Sequence, residues 1–372
     1  MVTSDAHAAA LAGLGEMGSR RLARLLDSGP PSQAWARVIR AAVPSDVAPR
    51  DLVRRWRREA AATDLAAVQA RLGELDLVVS TPHDPRHPRA LVTDVDPAPV
   101  IFRRGRALPE GRPAVVIVGT RRCSPTGREV AVELGMGLAA AGVVVVSGLA
   151  LGIDAAAHRG ALQVAGQSPV AVVGSGLDVV YPRRNADLWH RIAAAGTLLS
   201  ESHLGCAPEG WRFPARNRLL AALVRLVVVV ESKAAGGSMH TVEQAIRREV
   251  PVMAVPGSVR NPAAEGTNLL LSEGCAPVRD VDDVLVALDL ATAGSSAPHP
   301  ADRSAPAARP RDRLQRRVLA AIDDQPVGLD TVLVRLGGDP APVAAAVDAL
   351  VVSGLLVLDA GHLVRPARYH QL

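Results

Sequence analysis

Short apolar runs that end in glycine, hydroxyl or arginine residues, each followed by a helical segment, fill the middle of the chain. The clearest pair is Ala114–Val118, which breaks at Gly119, and 143–146, which ends at Ser147 and Gly148. Apolar runs of this length that alternate with helices are typical of parallel strands buried on both faces. We therefore predict an α/β fold with an extended Rossmann-like, mostly parallel sheet and helices on both faces. Ligands of such sheets bind where the strands end.

The same strand-loop-helix unit recurs from 114 to about 290. The runs at 75–80 and 99–102 are predicted to be edge strands of the same sheet, and 226–232, the most apolar run, to be a central strand. The segment 210–218 is predicted to be part of a long loop that leads into a helix.

The composition on either side of this core predicts further segments. Residues 1–72 are predicted to form a small helical domain, SAM-like or helix-hairpin-helix-like. Such a unit either presents backbone N–H groups to DNA phosphates or, as we favour, serves as a helical packing module. Residues 73–290 are the Rossmann-like domain, 291–312 a flexible linker, and 313–372 a winged-helix-like domain. The third helix predicted in this tail has few polar side chains, which disfavours direct reading of base edges.

Composition limits the classes of function. The 372 residues carry a formal net charge of +5, which is compatible with an anionic partner, and Lys233 is the only lysine among many arginines. Three cysteines without a CxxC pair are typical of a reducing compartment, so we expect a cytoplasmic protein. The apolar runs are all shorter than the roughly 20 residues of a membrane-spanning helix, and no membrane partner is expected.

Several cofactor and metal motifs are missing from the sequence. There is no GxxxxGK[ST] and no HExxH, and Gly174-Ser175-Gly176 matches only the first part of the dinucleotide-binding GxGxxG pattern. We expect no cofactor and no metal. Asp154 and His158, four residues apart, fit an acid–base pair or two metal ligands, but a capping carboxylate with a local hydrogen bond is the favoured interpretation.

The loops at the strand ends together carry the groups that bind a single-stranded nucleic acid. Glycines let the backbone approach a phosphate, arginines bind phosphate through a planar fork, and aromatic rings stack on bases. The predicted DNA- and phosphate-binding residues are Gly119, Thr120, Arg121, Arg122, Ser147, Gly148, Gly174, Gly176, Arg183, Arg184, Asn185, Arg216, Asn217, Arg218, Gly236, Gly237 and Ser238. The predicted base-stacking residues are Tyr181, Trp211 and Phe213.

Each of these residue types also has a structural interpretation. The glycines serve tight strand-to-helix turns, and the rings fill core positions at the rim of the sheet. The arginines form ion pairs with Glu201, Glu231 or Asp178. Asp154, His158 and Glu201 are predicted to be structural rather than catalytic.

In order and spacing, these segments resemble the DprA (Smf) family of bacterial DNA-processing proteins, most strongly from about 75 to 275. The resemblance rests on VGTRRCSPTG at 118–127, SGLALGIDAAAHRGAL at 147–162, GSGLDVVYPRRN at 174–185, Ser200-Glu201, FPARNRLLA at 213–221, GGSMHTVEQA at 236–245 and the segment 255–275. It implies a protein that is not an enzyme, binds single-stranded DNA, protects incoming DNA during natural transformation and loads the RecA recombinase.

The resemblance also implies that Arg121 and Arg183 line the DNA groove and that a homodimer forms through the Rossmann-like domain. Two positions depart from the family pattern. The family usually has a segment closer to SGSLITA where this chain has GGSMHTV, and a tyrosine is commoner at the position of His87. The resemblance is therefore weakest at His240 and His87.

A second group of Rossmann-like proteins offers an alternative family assignment. Nucleoside-monophosphate phosphoribohydrolases of the LOG type carry the signature PGGxGTxxE, of which Gly236, Gly237 and Glu243 are reminiscent. The compact GT turn of that signature is missing, because His240 and Thr241 replace it. This nucleotide-processing enzyme and an interaction scaffold without DNA affinity are the two alternatives to DNA binding.

Overall fold

Two units make up the chain in the computed structural model, residues 1–295 and 296–372. The structure describes residues 2–27, 29–295, 313–322, 327–337, 340–352, 356–359 and 362–364. Within these ranges, no helix is both long enough and apolar enough to cross a membrane.

A sheet of nine described strands is the centre of the first unit. The strands are β1 (Leu77–Ser80), β2 (Ile101–Gly105), β3 (Ala114–Val118), β4 (Val144–Ser147), β5 (Val170–Val172), β6 (Thr197–Ser200), β7 (Leu226–Val229), β8 (Val252–Ala254) and β9 (Ala276–Pro277). Their order is β1-β2-β6-β5-β4-β3-β7-β8-β9. The strands from β6 to β9 in this order pair in parallel, whereas β1 pairs with β2, and β2 with β6, in antiparallel register. The predicted extended, mostly parallel α/β fold is confirmed.

The positions of individual strands test two predictions. The segments 75–80 and 99–102 do extend one edge of the sheet, as β1 and β2. The predicted central strand at 226–232 is β7, which is an interior strand between β3 and β8. It is not the middle strand of the sheet. The middle position belongs to β4.

Helices cover both faces of the sheet. They are α6 (Arg89–Val92), α7 (Pro125–Ala140), α8 (Ile153–Ala161), α9 (Ala186–Ala195), α10 (Arg212–Ala222), α11 (Met239–Ile246), α12 (Glu265–Ser272) and α13 (Val281–Ser295). Alternate residues of β3 enter different cores, because side chains of a strand point to opposite faces. Val116 packs in the core that contains α10 and α11, and Val115 in the core that contains α7 and α8.

Five helices precede the sheet and share a core with it. They are α1 (Ser4–Ala12), α2 (Ser19–Leu26), α3 (Pro31–Ile39), α4 (Arg50–Ala62) and α5 (Leu65–Glu74). Leu11 and Trp56 lie in one buried cluster with Phe102 and Leu198 of the sheet. The predicted helical segment is therefore present, and it packs directly on the β2–β6 side of the sheet.

The second unit contains three described helices and a small sheet. The helices are α14 (Arg313–Ala321), α15 (Leu329–Leu336) and α16 (Pro340–Val352), and the strands are β10 (Val327–Gly328), β11 (Val357–Asp359) and β12 (His362–Val364). β12 pairs antiparallel with both other strands. The predicted winged-helix arrangement is confirmed. Of the predicted linker, 291–295 continue α13, and 296–312 lie outside the described residues.

Two glycines let α7 and α8 approach closely. A Cβ at Gly135 would overlap the carbonyl oxygen of Ala157, and a Cβ at Gly160 would overlap that of Val132. The backbones of the two helices are therefore in direct contact, and neither position has room for a methyl group.

We expect Gly135→Ala to destabilise the protein by about 1–3 kcal/mol, because the added methyl group forces two packed helices apart. The matched control is Gly73→Ala in α5, where an added Cβ meets no atom within 4 Å. That substitution should stabilise by up to about 1 kcal/mol, since it removes backbone freedom from the unfolded chain. Urea unfolding followed by circular dichroism measures both, and equal effects of the two substitutions would contradict the helix contact.

Candidate nucleic-acid interface

The order in which the chain adds strands to the sheet reverses between β3 and β7, and a cleft opens there. The chain leaves β3 through α7 toward β4 on one side, while β7 pairs with β3 on the other side. Such a switch point is where open parallel sheets bind ligands. The cleft has a volume of about 750 Å³. We call it the strand-end cleft; it is lined by 118–122, Ala150, Asp154, Tyr181, Pro208, Gly210, Phe213, Pro214, Arg216, Asn217, Leu220, Lys233, 236–238, His240 and Thr241.

Backbone contacts hold the loops around this cleft. The N–H of Thr120 donates to the carbonyl oxygen of Glu231 at 2.6 Å, and the N–H of Ile153 donates to the carbonyl oxygen of Thr120 at 3.3 Å. Gly152 has a φ of +80°, and a Cβ there would overlap the Thr120 carbonyl oxygen. Only glycine suits such a position, because it tolerates positive φ and close backbone approach. The loops after β3, β4 and β7 are thereby fixed to one another.

Two aromatic rings and an arginine form one wall of the strand-end cleft. The ring centroids of Tyr181 and Phe213 lie 5.6 Å apart, with an angle of 31° between the planes. The guanidinium carbon of Arg121 lies 5.1 Å from the centroid of Phe213, within the range of a cation–π contact. Arg121, Arg122 and Lys233 are exposed, so the rim of the cleft is positively charged.

Arg216 lies on the floor of the cleft and is 8% exposed. Its Nη1 donates to the carbonyl oxygens of Gly148, at 2.9 Å, and Val172, while its Nε has no hydrogen-bond partner among the described residues. Burial lowers the pKa of Arg216 to about 10. A Cβ at Gly148 would lie 2.5 Å from Nη2 of Arg216, so the missing side chain makes room for the guanidinium.

Asp154 and His158 do not form an acid–base pair. The Asp154 carboxylate accepts hydrogen bonds from the N–H groups of Gly148, at 3.1 Å, and Ala150, at 3.4 Å. It fastens the loop after β4, which differs in detail from the predicted helix cap. Burial raises the pKa of Asp154, an effect that the charge of Arg216 opposes. His158 is fully buried beneath, and burial lowers its pKa to about 3.

Three predicted DNA-binding side chains are buried in structural contacts. The Ser147 hydroxyl donates to the carbonyl oxygen of Ile117 at 2.6 Å. The Asn185 amide donates to Leu149 at 3.0 Å. Arg218 forms an ion pair with Glu201 at 2.6 Å, as the structural interpretation of the arginines predicts, and a second with Asp96 at 3.3 Å.

The other two carboxylates considered as arginine partners have different contacts. Glu231 accepts from the N–H and the hydroxyl of Ser124, at 2.8 and 2.6 Å, and from Asn261 at 3.1 Å. Asp178 accepts from the N–H of Gly205 at 2.9 Å. In the described part of the chain, neither carboxylate forms an ion pair with an arginine.

The remaining predicted residues lie in or near the strand-end cleft. Gly119, Thr120, Arg121, Arg122, Arg216, Asn217, Gly236, Gly237 and Ser238 line it. Gly148 and Gly174 line a smaller hollow of about 40 Å³ beside Tyr181 and Phe213. Arg183 and Arg184 are exposed on the 3-10 turn that follows Tyr181, outside the lining, and Gly176 packs near His203. Trp211 is 62% exposed and lies outside the strand-end cleft.

Sequence reasoning missed Lys233. It is the only lysine of the chain, and it lines the strand-end cleft. Its position in the loop that follows β7 is the signal that identifies it, because strand-end loops meet at one edge of a parallel sheet. The segment 210–218 also differs from the predicted loop, since α10 begins at Arg212.

Comparison with known proteins identifies the family. The family model of DNA recombination-mediator protein A matches residues 78–289, and that of the DprA winged helix domain matches residues 302–356. The chain belongs to the DprA family. The curated relative Protein Smf of Synechocystis is 32% identical over 311 residues, which cover 76% of this chain and 78% of the relative. The DprA protein of Streptococcus pneumoniae is 40% identical over 195 residues, or 52% of this chain and 68% of the relative.

Solved DprA structures share the fold. The X-ray structure of the protein from S. pneumoniae matches with a TM-score of 0.63 and 30% identity, covering 77% of this chain and 98% of that chain. A structure of the protein from Helicobacter pylori, which was solved for its single-stranded DNA binding mode, matches with a TM-score of 0.52 and 30% identity, covering 57% of this chain and 96% of that chain. The predicted resemblance to the DprA family is confirmed.

The buried His158 of this DprA-family chain predicts a pH dependence of stability. Its pKa falls from 6.5 to about 3 on folding, so protonation favours the unfolded chain. The stability that the neutral ring supports is complete above about pH 6.5 and is lost as the pH falls toward 3. We expect the free energy of unfolding of the wild type, relative to His158→Leu, to fall by about 1.4 kcal/mol per pH unit below about pH 6. Urea unfolding at pH 5, 6 and 7 measures the difference; parallel curves would refute it.

Proposed function

We propose that this protein binds single-stranded DNA in the strand-end cleft. The observation that carries the proposal is the contact of Arg121 with the Phe213 ring, against which Tyr181 also packs, at the switch point of the sheet. A flat ring beside a guanidinium accommodates an unpaired base next to its phosphate. The H. pylori relative, whose structure concerns single-stranded DNA binding, supports the same class of ligand.

The lining residues have separate roles in this proposal. The exposed cations Arg121, Arg122 and Lys233 bind backbone phosphates. The glycine-rich segments 119–120 and 236–238 let the strand approach the backbone, and Tyr181 and Phe213 stack on bases. Phosphate contacts and stacking position a strand without reading its base edges, so binding is independent of sequence.

The residues outside the lining have weaker or indirect roles. Arg183 and Arg184 follow Tyr181 and Pro182 in sequence and contact the strand as it leaves the cleft. Arg216 supports the floor of the cleft. Arg218 is buried against Glu201 and Asp96, and we assign it to the fold.

We further infer that the cleft binds DNA without catalysing a reaction. Asp154, the carboxylate at its floor, is held by the N–H groups of two loop residues. Glu243, which corresponds to the catalytic glutamate of the nucleotide-hydrolase alternative, has a side chain that is 65% exposed and lies 3.3 Å from His240. Both placements support a binding role over hydrolysis, which needs a carboxylate positioned at the reacting sugar.

Membership of the DprA family supports finer proposals. We infer that the protein acts in the cytoplasm, protects incoming DNA during natural transformation, loads RecA and forms a homodimer through the Rossmann-like domain. The rate of RecA assembly on single-stranded DNA, with and without the protein, measures the loading activity, and sedimentation measures the dimer.

Arg121→Ala should weaken single-stranded DNA binding for all base sequences, because it removes a phosphate contact and a neighbour of the stacking ring. The slope of the logarithm of affinity against the logarithm of salt concentration should fall by about 0.7. Fluorescence anisotropy with a labelled oligonucleotide at several salt concentrations measures both quantities. The control is Arg191→Ala, an exposed arginine of α9 outside the cleft. An unchanged affinity in Arg121→Ala would exclude this residue from the site, and absence of any binding by the wild type would favour the scaffold alternative.

Phe213→Leu should separate stacking from charge. The leucine keeps an apolar side chain but removes the ring, so the affinity should fall by about 1–3 kcal/mol, the range for one stacked base. The salt slope should stay as in the wild type, because no charge is lost. The same anisotropy titrations measure the affinity and the salt slope. A changed salt slope together with an unchanged affinity at low salt would contradict a stacking role for Phe213.

A further inference from the structure

A series of neighbouring hollows leads from the strand-end cleft to the N-terminal helices. The small hollow beside Phe213 shares Gly174 and Arg216 with a hollow of about 180 Å³ between α10, β6 and the start of α2. That hollow in turn shares Gly18, Ser19 and Pro99 with an open groove of about 1300 Å³ along α2. We call this last hollow the α2 groove. Neighbouring hollows therefore lead from the switch point to α2.

The intermediate hollow, between the strand-end cleft and the α2 groove, has an exposed aromatic ring at its edge. Trp211, at the start of α10, is 62% exposed and lines the intermediate hollow. The guanidinium carbon of Arg212 lies 4.2 Å from its ring centroid. The indole Nε1 donates to Glu209 at 2.9 Å, and Glu209 also pairs with Arg212 at 3.1 Å. These contacts hold the exposed ring in a position where a base can stack on it.

Exposed arginines line the α2 groove. Arg20, Arg24 and Arg247 are exposed, and Arg20 and Arg24 share one face of α2 because they are four residues apart. Among the described residues, Arg20 and Arg247 have no side-chain hydrogen bond or ion pair.

The carboxylates of the α2 groove are largely paired already. Asp96 lies 3.3 Å from Arg218, and Asp46 lies 3.6 Å from Arg24. Only Asp27 of the lining carboxylates has no such pair in the described part of the chain. The groove therefore presents a net positive surface, which favours an anionic strand over an apolar or basic partner.

We propose that the N-terminal helices are part of the DNA interface: a single strand that leaves the strand-end cleft passes over Trp211 and lies along α2, with Arg20 and Arg24 on its phosphates. The inference rests on the proposed function of the cleft. Its occupant is single-stranded DNA rather than an acidic protein, because neighbouring hollows link the α2 groove to the cleft and the exposed ring of Trp211 lies between them. The length of strand that the protein binds is then greater than the cleft alone accommodates.

Oligonucleotides of two lengths test this. An oligothymidylate of about 6 nucleotides occupies the cleft, whereas one of about 25 nucleotides also reaches α2, given site sizes of roughly 4–16 nucleotides for comparable grooves. Arg20→Ala/Arg24→Ala should leave the affinity for the short strand unchanged. For the long strand it should lower the affinity and reduce the salt slope by about 1.4, or about 0.7 for each lost phosphate contact. The matched control is Arg57→Ala/Arg58→Ala, which removes two exposed arginines of α4 that line none of these hollows.

The outcomes separate this proposal from that of the cleft. Equal binding of the long strand by the wild type and the α2 variant would overturn the proposal, and so would an equal loss in the α4 control. Since Arg24 also contacts Asp46, the single change Arg20→Glu, which breaks no contact, repeats the test if the double variant melts at a lower temperature. If Arg121→Ala binds both strands normally while the α2 variant loses affinity only for the long one, Arg121 is excluded from the cleft site and the α2 interface stands.

Discussion

Glu231, just beyond the end of β7, holds the loops of three strands in place around the switch point. Its carbonyl oxygen accepts from Thr120, and its carboxylate accepts from Ser124, at the start of α7, and from Asn261, in the loop after β8. Arg121 lies between the two residues that are fixed in this way. Its side chain therefore extends from an ordered backbone, which reduces the conformational entropy lost when it binds an anion. The position of Arg121 therefore depends on this buried carboxylate, which is not among the residues that line the strand-end cleft.

The charges of the cleft are arranged in two layers. Arg216 lies below, where the carbonyl oxygens of Gly148 and Val172 and the nearby Asp154 offset the cost of burying a guanidinium. Arg121, Arg122 and Lys233 lie above and are exposed. The negative charge of Asp154 offsets the positive charge of Arg216, so the net positive charge of the cleft comes from its rim. The floor contributes shape and rigidity, and the rim contributes charge that can follow a flexible strand.

Much of this architecture is predictable from the sequence, because buried parallel strands are uniformly apolar and the loops that meet at one sheet edge follow them directly. The contacts of individual arginines are not. Arg121, Arg216 and Arg218 all occur in strand-end loops or the helix behind them. Arg218 nevertheless points inward, where it pairs with Glu201 and with Asp96, which is 122 residues away in sequence. Gly210 and Pro214 make α10 look like a loop, although proline is tolerated in the first turn of a helix. Lys233 has no pattern around it, and only its position behind β7 identifies it.

The N-terminal helices and the sheet share one hydrophobic core, in which Leu11 and Trp56 belong with Phe102, Trp189 and Leu198. The outer face of β2 and β6 is thus an internal surface of the protein. A truncated chain that begins after α5 would expose this apolar face to water and become prone to self-association. For a relative without these helices, we expect polar side chains or another covering element at the same strand positions.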